Sequence, residues 1–280
     1  MTAITTGLSL TTVPWGAVAV PLCAVILIFS ALRLAGTSPR LAARTVCRTL
    51  RARPLGTFEA PMWHDVLRRL SVSRSTPAPA LWVAPYAQVN LFALADGEGG
   101  ARIVTTQGAL ESLGEGEVEA ALGGALARAR RRDLDRATLA SAVGLTASAL
   151  AGLGMVDGHE AEDHPFGWPL GVPILLAGGA AARTFGGPAP DGRADIEGAL
   201  ISGHALTSAR LLEHMEFTAH VAPMKTSSAI ARLALVDPLG EREPLAMGWV
   251  FPAPPPSATR AAQLRASAPW PESPERVRAA

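Results

Sequence analysis

Apolar positions follow several distinct rhythms along this chain. Residues 13–32, VPWGAVAVPLCAVILIFSAL, form an uncharged apolar run of about the length that spans a bilayer. Residues 61–70, PMWHDVLRRL, carry apolar side chains at helical spacing with polar ones between, which predicts a short amphipathic helix. Three brief runs then follow: ALWVAP from Ala80, VNLFALA from Val89 and ARIVTT from Ala101. Pro77 and Pro79 precede the first, and the turn signal DGEGG at 96–100 separates the last two, so the pattern predicts a small sheet containing a hairpin. Residues 116–133, GEVEAALGGALARARRRD, are predicted to be a helix. Glu117 and Glu119 near its start and Arg128, Arg130, Arg131 and Arg132 near its end suit the helix dipole. Residues 205–215, ALTSARLLEHM, read as another amphipathic helix, and the Pro-, Arg- and Glu-rich residues 267–280 as a disordered tail.

Two further apolar stretches, 137–156 and 166–182, flank an acidic loop that carries His159, Glu160 and His164. Arginines stand before the first stretch and Arg183 after the second, the placement expected of a membrane-crossing pair with an external loop. A buried helical hairpin is the alternative. In either case the Ala, Gly, Ser and Thr of the first stretch let two helices approach closely. No Lys or Arg precedes residues 13–32, whereas Arg33, Arg40, Arg44, Arg48, Arg51 and Arg53 follow, so the positive-inside rule places the N-terminus outside and the main domain in the cytoplasm. A cleaved signal would need a positive n-region, so the run reads as a retained anchor (residues 1–35) followed by an Arg-rich juxtamembrane linker (36–60) and a main domain (61–266).

The charge balance, 25 Lys and Arg against 24 Asp and Glu, gives no surplus for binding nucleic acid. Cys23 lies in the apolar run and Cys47 in an Arg-rich segment, poorly placed to pair, so no disulfide framework is expected.

The helix at 116–133 resembles the zinc helix of HtpX-type membrane metallopeptidases, E-x-E-A-x-L-x-H-E-x-x-H-x-x-x-x-D. Glu117, Glu119, Ala120, Leu122 and Asp133 match it. The order of elements before it also resembles that family: ALWVAP, then Asn90-Leu91-Phe92-Ala93, ARIVTT and Thr106-Gln107-Gly108-Ala109-Leu110. After it, Ala194, Asp195, Gly198 and Ala199 match E-[FY]-x-A-D-x-x-G-A, residues 231–239 resemble A-x-L-F-M-V-N-P-L, and Arg260 and Leu264 fit the closing T-H-P-P-x-x-x-R-I-x-x-L. The resemblance implies an α+β fold: a mainly helical, zincin-like metallopeptidase domain with a small β-sheet, plus transmembrane helices. It also implies a bacterial inner-membrane location.

The same resemblance lays the two zinc-binding histidines on Gly124 and Arg128, the catalytic glutamate on Ala125 and the third ligand on Asp191, while the closing histidine falls on Pro254. Two histidines at i and i+4 reach one zinc ion, and the glutamate between them takes the proton of the metal-bound water. Glycine and alanine have no donor atoms, and a guanidinium repels a cation. No zinc cofactor is therefore expected, and Arg128 is expected to pair with Asp191 or Asp195. Asn90, Asp133, Asp195 and Arg260 remain as scaffold positions, Asp195 without the histidine that it would orient in the family.

The expected function is that of an inactive homologue, a pseudopeptidase, bound to the membrane and to a protein or peptide partner. Peptide would add to a strand edge near Asn90 to Ala93. The alternatives are an active zinc endopeptidase of membrane-protein quality control, with a metal site drawn from Asp191 and His159 or His164, and a helical membrane-anchored protein unrelated to peptidases. His64, His204, His214 and His220 read as ordinary surface or satisfied core residues.

Overall fold

A computed structural model describes residues 39–97, 99–131, 133–150, 178–183, 192–240 and 254–267. The expected anchor at 13–32, the acidic loop with His159 and His164, Asp191 and the tail beyond Ser267 lie outside the described residues. No described helix is long and apolar enough to cross a membrane.

The chain forms helix α1 (Pro39–Thr49), strand β1 (Arg53–Pro54), α2 (Pro61–Ser73), β2 (Ala80–Ala84), β3 (Leu91–Gly97), β4 (Gly100–Thr106), α3 (Gln107–Ser112), α4 (Glu115–Ala129) and α5 (Leu134–Leu150). After these come α6 (Arg193–Ser202), α7 (Ala205–Val221), a 3₁₀ turn (Ser228–Leu233) and α8 (Ser257–Ser267). The mixed helical and sheet character is thus an α+β arrangement.

The sheet runs β1-β2-β4-β3. β2 and β4 pair in parallel, with Leu81 opposite Ile103, because the chain passes first to β3 and returns through a hairpin into the gap between them. Gly97 and Gly99 turn that hairpin at positive φ, 78° and 75°, which only glycine adopts without strain. The uninterrupted apolar run of β3 is explained by burial on both faces. Leu91, with Leu81, Val83 and Ile103, faces a core beneath α2 and α4; Phe92 and Leu94, with Val104, face a second core.

That second core corrects the linker reading of residues 36–60. Ala42, Ala43, Val46 and Cys47 of α1 and the following Leu50 are buried, at i, i+3, i+4 and i+7 from Ala43, and Arg53 and Pro54 pair with Val83 and Trp82. The domain therefore begins by Pro39. The alternation of Arg with small apolar residues in this segment is an amphipathic helix rather than a spacer.

The described part of 137–156 lies in α5, whose Thr138, Ala140, Ser141 and Ala147 are buried. Its partner segment, 178–183, is helical and approaches so closely that a Cβ on Gly178 would sit 2.2 Å from that of Ala147. The stretch that reads in sequence as a membrane or hairpin helix is, over 137–150, part of the domain core.

Candidate functional site

The residues that the resemblance singles out converge where α4, α6 and α8 meet. Glu117 starts α4 by accepting from the backbone N–H of Gly114 at 3.1 Å, half of a capping box. Further along, Gly123 and Gly124 let α6 come to backbone contact. A Cβ on Gly123 would lie 2.6 Å from the carbonyl oxygen of Gly198, and one on Gly198 would lie 2.6 Å from the Cα of Gly124. The small residues in mid-helix are thus required by the approach of two helices, and that approach delivers Asp195, one turn before Gly198, to the α4 surface.

Asp195 is 5% exposed. Arg260, 2% exposed, binds it through two bonds, Nε to Oδ2 at 2.6 Å and Nη2 to Oδ1 at 2.7 Å, and donates a third from Nη1 to the carbonyl oxygen of Leu235 at 2.7 Å. Arg128 approaches the same carboxylate from α4, donating from Nη2 to Oδ1 at 3.3 Å and from Nη1 to the carbonyl oxygen of Ala234 at 3.3 Å. One carboxylate is therefore shared by two buried guanidiniums, each of which also holds one carbonyl of the 234–235 segment. Sequence reasoning placed Arg128 within reach of Asp195. It missed that Arg260, from the matched P-P-x-x-x-R element, is the bidentate partner; the available signal was a lone arginine on the buried face of a short helix, which calls for a buried acid.

These residues do not fit a zinc ion. Gly124 and Ala125 supply no donor, Arg128 is a cation already engaged with Asp195, and among the described residues no three His, Cys, Asp or Glu cluster to hold a metal. A Cβ built on Gly124 would lie 3.3 Å from Cδ2 of Leu235, a close contact that Leu235 would have to yield by a few tenths of an ångström to admit. What remains is a cavity of ≈ 20 Å³ lined by Ala120, Ala121, Gly124, Met215 and Leu235, among others, with Asp195 at its wall. That is room for about one water, in surroundings with few polar partners to hold it.

The edge of β3 is taken up from within the chain. Phe92 pairs with Ala234 as an antiparallel bridge, and the N–H of Leu235 donates to the carbonyl oxygen of Leu91 at 2.8 Å. Asn90 fastens the same segment: its Nδ2 donates to Val236 O at 2.8 Å, and its Oδ1 accepts from Leu91 N at 2.9 Å and from Val236 N at 3.4 Å. Three residues past Phe92, toward the hairpin, the N–H of Ala95 donates to Oγ1 of Thr138 at 2.9 Å. The expected addition of a peptide at Asn90 to Ala93 therefore meets an edge on which residues 234–236 already lie beside Asn90 to Phe92.

The remaining sequence candidates disperse. Asp133 pairs with Arg131 at 2.9 Å just before α5, and that guanidinium holds its carboxyl below the usual range. His204 lies 2.7 Å from Glu119, whose other oxygen is held by Arg69. His64 contacts the carbonyl of Leu55 at 3.2 Å, and His220 that of Glu216 at 2.7 Å. Cys47 is buried and free, and burial pushes its thiol up. Pro254 is buried beside α8.

Comparison with known proteins places this architecture among proteins described as protease HtpX homologues. The one from Gemmatimonas aurantiaca is 29% identical over 227 residues, covering 80% of this chain and 81% of the relative. Those of Pelotomaculum thermopropionicum and Aquifex aeolicus are 26% and 30% identical over 234 and 208 residues; the first match covers 78% of this chain and 80% of the relative, the second 67% and 66%. No family model matches the chain, and no solved structure does.

Proposed function

Because this chain belongs to the HtpX family, we propose that it is a membrane-anchored member that has lost zinc peptidase chemistry and acts by binding a protein or peptide partner. The observation that carries this reading is Arg128. At a position where the family resemblance lays a zinc ligand, a guanidinium reaches into a buried carboxylate that Arg260 also holds. A cation fixed there opposes a metal ion by its charge and replaces it as the link between α4 and α6. The neighbouring positions, Gly124 and Ala125, serve packing rather than chemistry.

Membrane attachment is supported by the apolar run 13–32 and the arginines after it. Partner binding follows from what the fold retains once catalysis is removed. With the β3 edge occupied, the partner docks elsewhere than by adding a strand beside Phe92.

The test is metal content and cleavage together. Full-length protein purified in detergent, offered zinc and then dialysed, is expected to retain far less than one zinc per chain by elemental analysis and to leave an unfolded test protein intact. One tightly held zinc per chain, with cleavage abolished by a chelator, would overturn the proposal in favour of an active endopeptidase.

A further inference from the structure

The arginines of α1 fall on one face. Arg40, Arg44 and Arg48 are spaced at i, i+4 and i+8 and are exposed, and Arg51, also exposed, follows where the chain turns at φ 51°. The opposite face is spent on the domain core through Ala43, Val46, Cys47 and Leu50. The helix contains no acidic residue. Arg40, at the start of the helix, donates from Nε to the backbone carbonyl oxygen of Asp96 at 3.3 Å. Arg53, by contrast, is neutralised by Glu59 through two bonds and does not belong to the patch.

The position of this face limits what it meets. The apolar run ends at Leu32 and α1 begins at Pro39, seven residue steps that reach no more than about 25 Å when fully extended. If the run is the anchor, a rigid helix with its arginine face outward is held beside the phosphate layer of the bilayer. From this juxtaposition we infer that the Arg44, Arg48 and Arg51 face of α1 docks the folded domain on anionic phospholipid headgroups of the membrane that holds it. Guanidiniums bind phosphate oxygens with two parallel N–H donors, which suits this class of headgroup. The apolar face is unavailable to lipid, so the contact is electrostatic and does not insert. It sets the orientation of the domain and yields to salt.

This inference rests on the anchoring reading, and one experiment separates the two. A dye is attached at Leu41→Cys, a half-exposed site on the same helix, in a full-length background with Cys23→Ser and Cys47→Ala. The protein is placed in nanodiscs whose lipids carry a headgroup-linked quencher. Quenching is expected to rise when phosphatidylglycerol replaces part of the phosphatidylcholine, to fall back in about 1 M salt, where the Debye length shrinks to roughly 3 Å, and to lose its dependence on lipid charge in the triple variant R44Q/R48Q/R51Q. Quenching that is the same in both lipids overturns the headgroup contact while leaving the anchor intact. Protein that stays outside the nanodiscs overturns both readings.

Discussion

Asp195 shows what a buried carboxylate demands of its surroundings. A buried carboxylate must find compensating charge and hydrogen bonds, and here it takes three from two arginines. Removing one partner of such a pair strands the other in a low-dielectric interior, which costs about 3–5 kcal/mol. Asp195→Asn and Arg260→Gln are each expected to lose stability of this order in chemical denaturation. Arg128→Ala, which gives up longer bonds at 3.3 Å and leaves Asp195 with its bidentate partner, is expected to lose about 1–3 kcal/mol. Equal losses for all three would show that the two guanidiniums contribute alike. An unchanged midpoint for Arg128→Ala would remove the metal-replacing role assigned to it.

Between elements, the contact of α4 with α6 is decided by Gly123, Gly124 and Gly198, and Gly116, away from that interface in α4, supplies the control. Gly198→Ala gains about 1 kcal/mol of helix propensity but drives a methyl into the backbone of Gly124, so a net loss of about 1–3 kcal/mol is expected by thermal denaturation. Gly116→Ala, exposed and with nothing within 4 Å of the added Cβ, is expected to stabilise α4. Much of this scale was legible in sequence. The strands from Ala80, Leu91 and Gly100 and the hairpin at Gly97 to Gly100 follow from short apolar runs and the turn residues between them. What sequence alone concealed is long-range. Nothing local to residues 234–236 announces that they will lie along β3, 146 residues from Asn90 to Val236, and nothing local to Thr138 announces that its hydroxyl will meet Ala95. The linker reading of 36–60 failed for a related reason. Its arginines were counted as a charge run, whereas the apolar positions between them recur at the helical period and are buried.

For the whole molecule, two aspartates act on stability in opposite directions. Arg131 lowers the pKa of Asp133, so its stabilising contribution is present above the ordinary aspartate value and is lost as pH falls through the lowered one. Burial raises that of Asp237, so its contribution is complete below the ordinary value and is lost as pH rises through the raised one. Denaturation midpoints followed from acid to neutral pH are expected to fall less steeply toward acid in Asp133→Asn. In Asp237→Asn, which keeps an oxygen for the N–H of Leu239, the midpoint is expected to rise relative to the parent as neutrality is approached. A profile that either substitution leaves untouched would exclude that residue as a source of pH dependence. The segment 234–236 also bears on how this lineage can change from here. It carries the side chain of Leu235 into the space beside Gly124, gives carbonyls to Arg128 and Arg260, and meets β3 through an antiparallel bridge. Reinstalling metal ligands at positions 124 and 128 would meet Leu235 at the first and withdraw a partner from Asp195 at the second, and the strand edge would stay closed. On the reading proposed above, single-step reversion starts from positions already committed to packing and to an ion pair, so a loss of zinc chemistry here behaves as a ratchet.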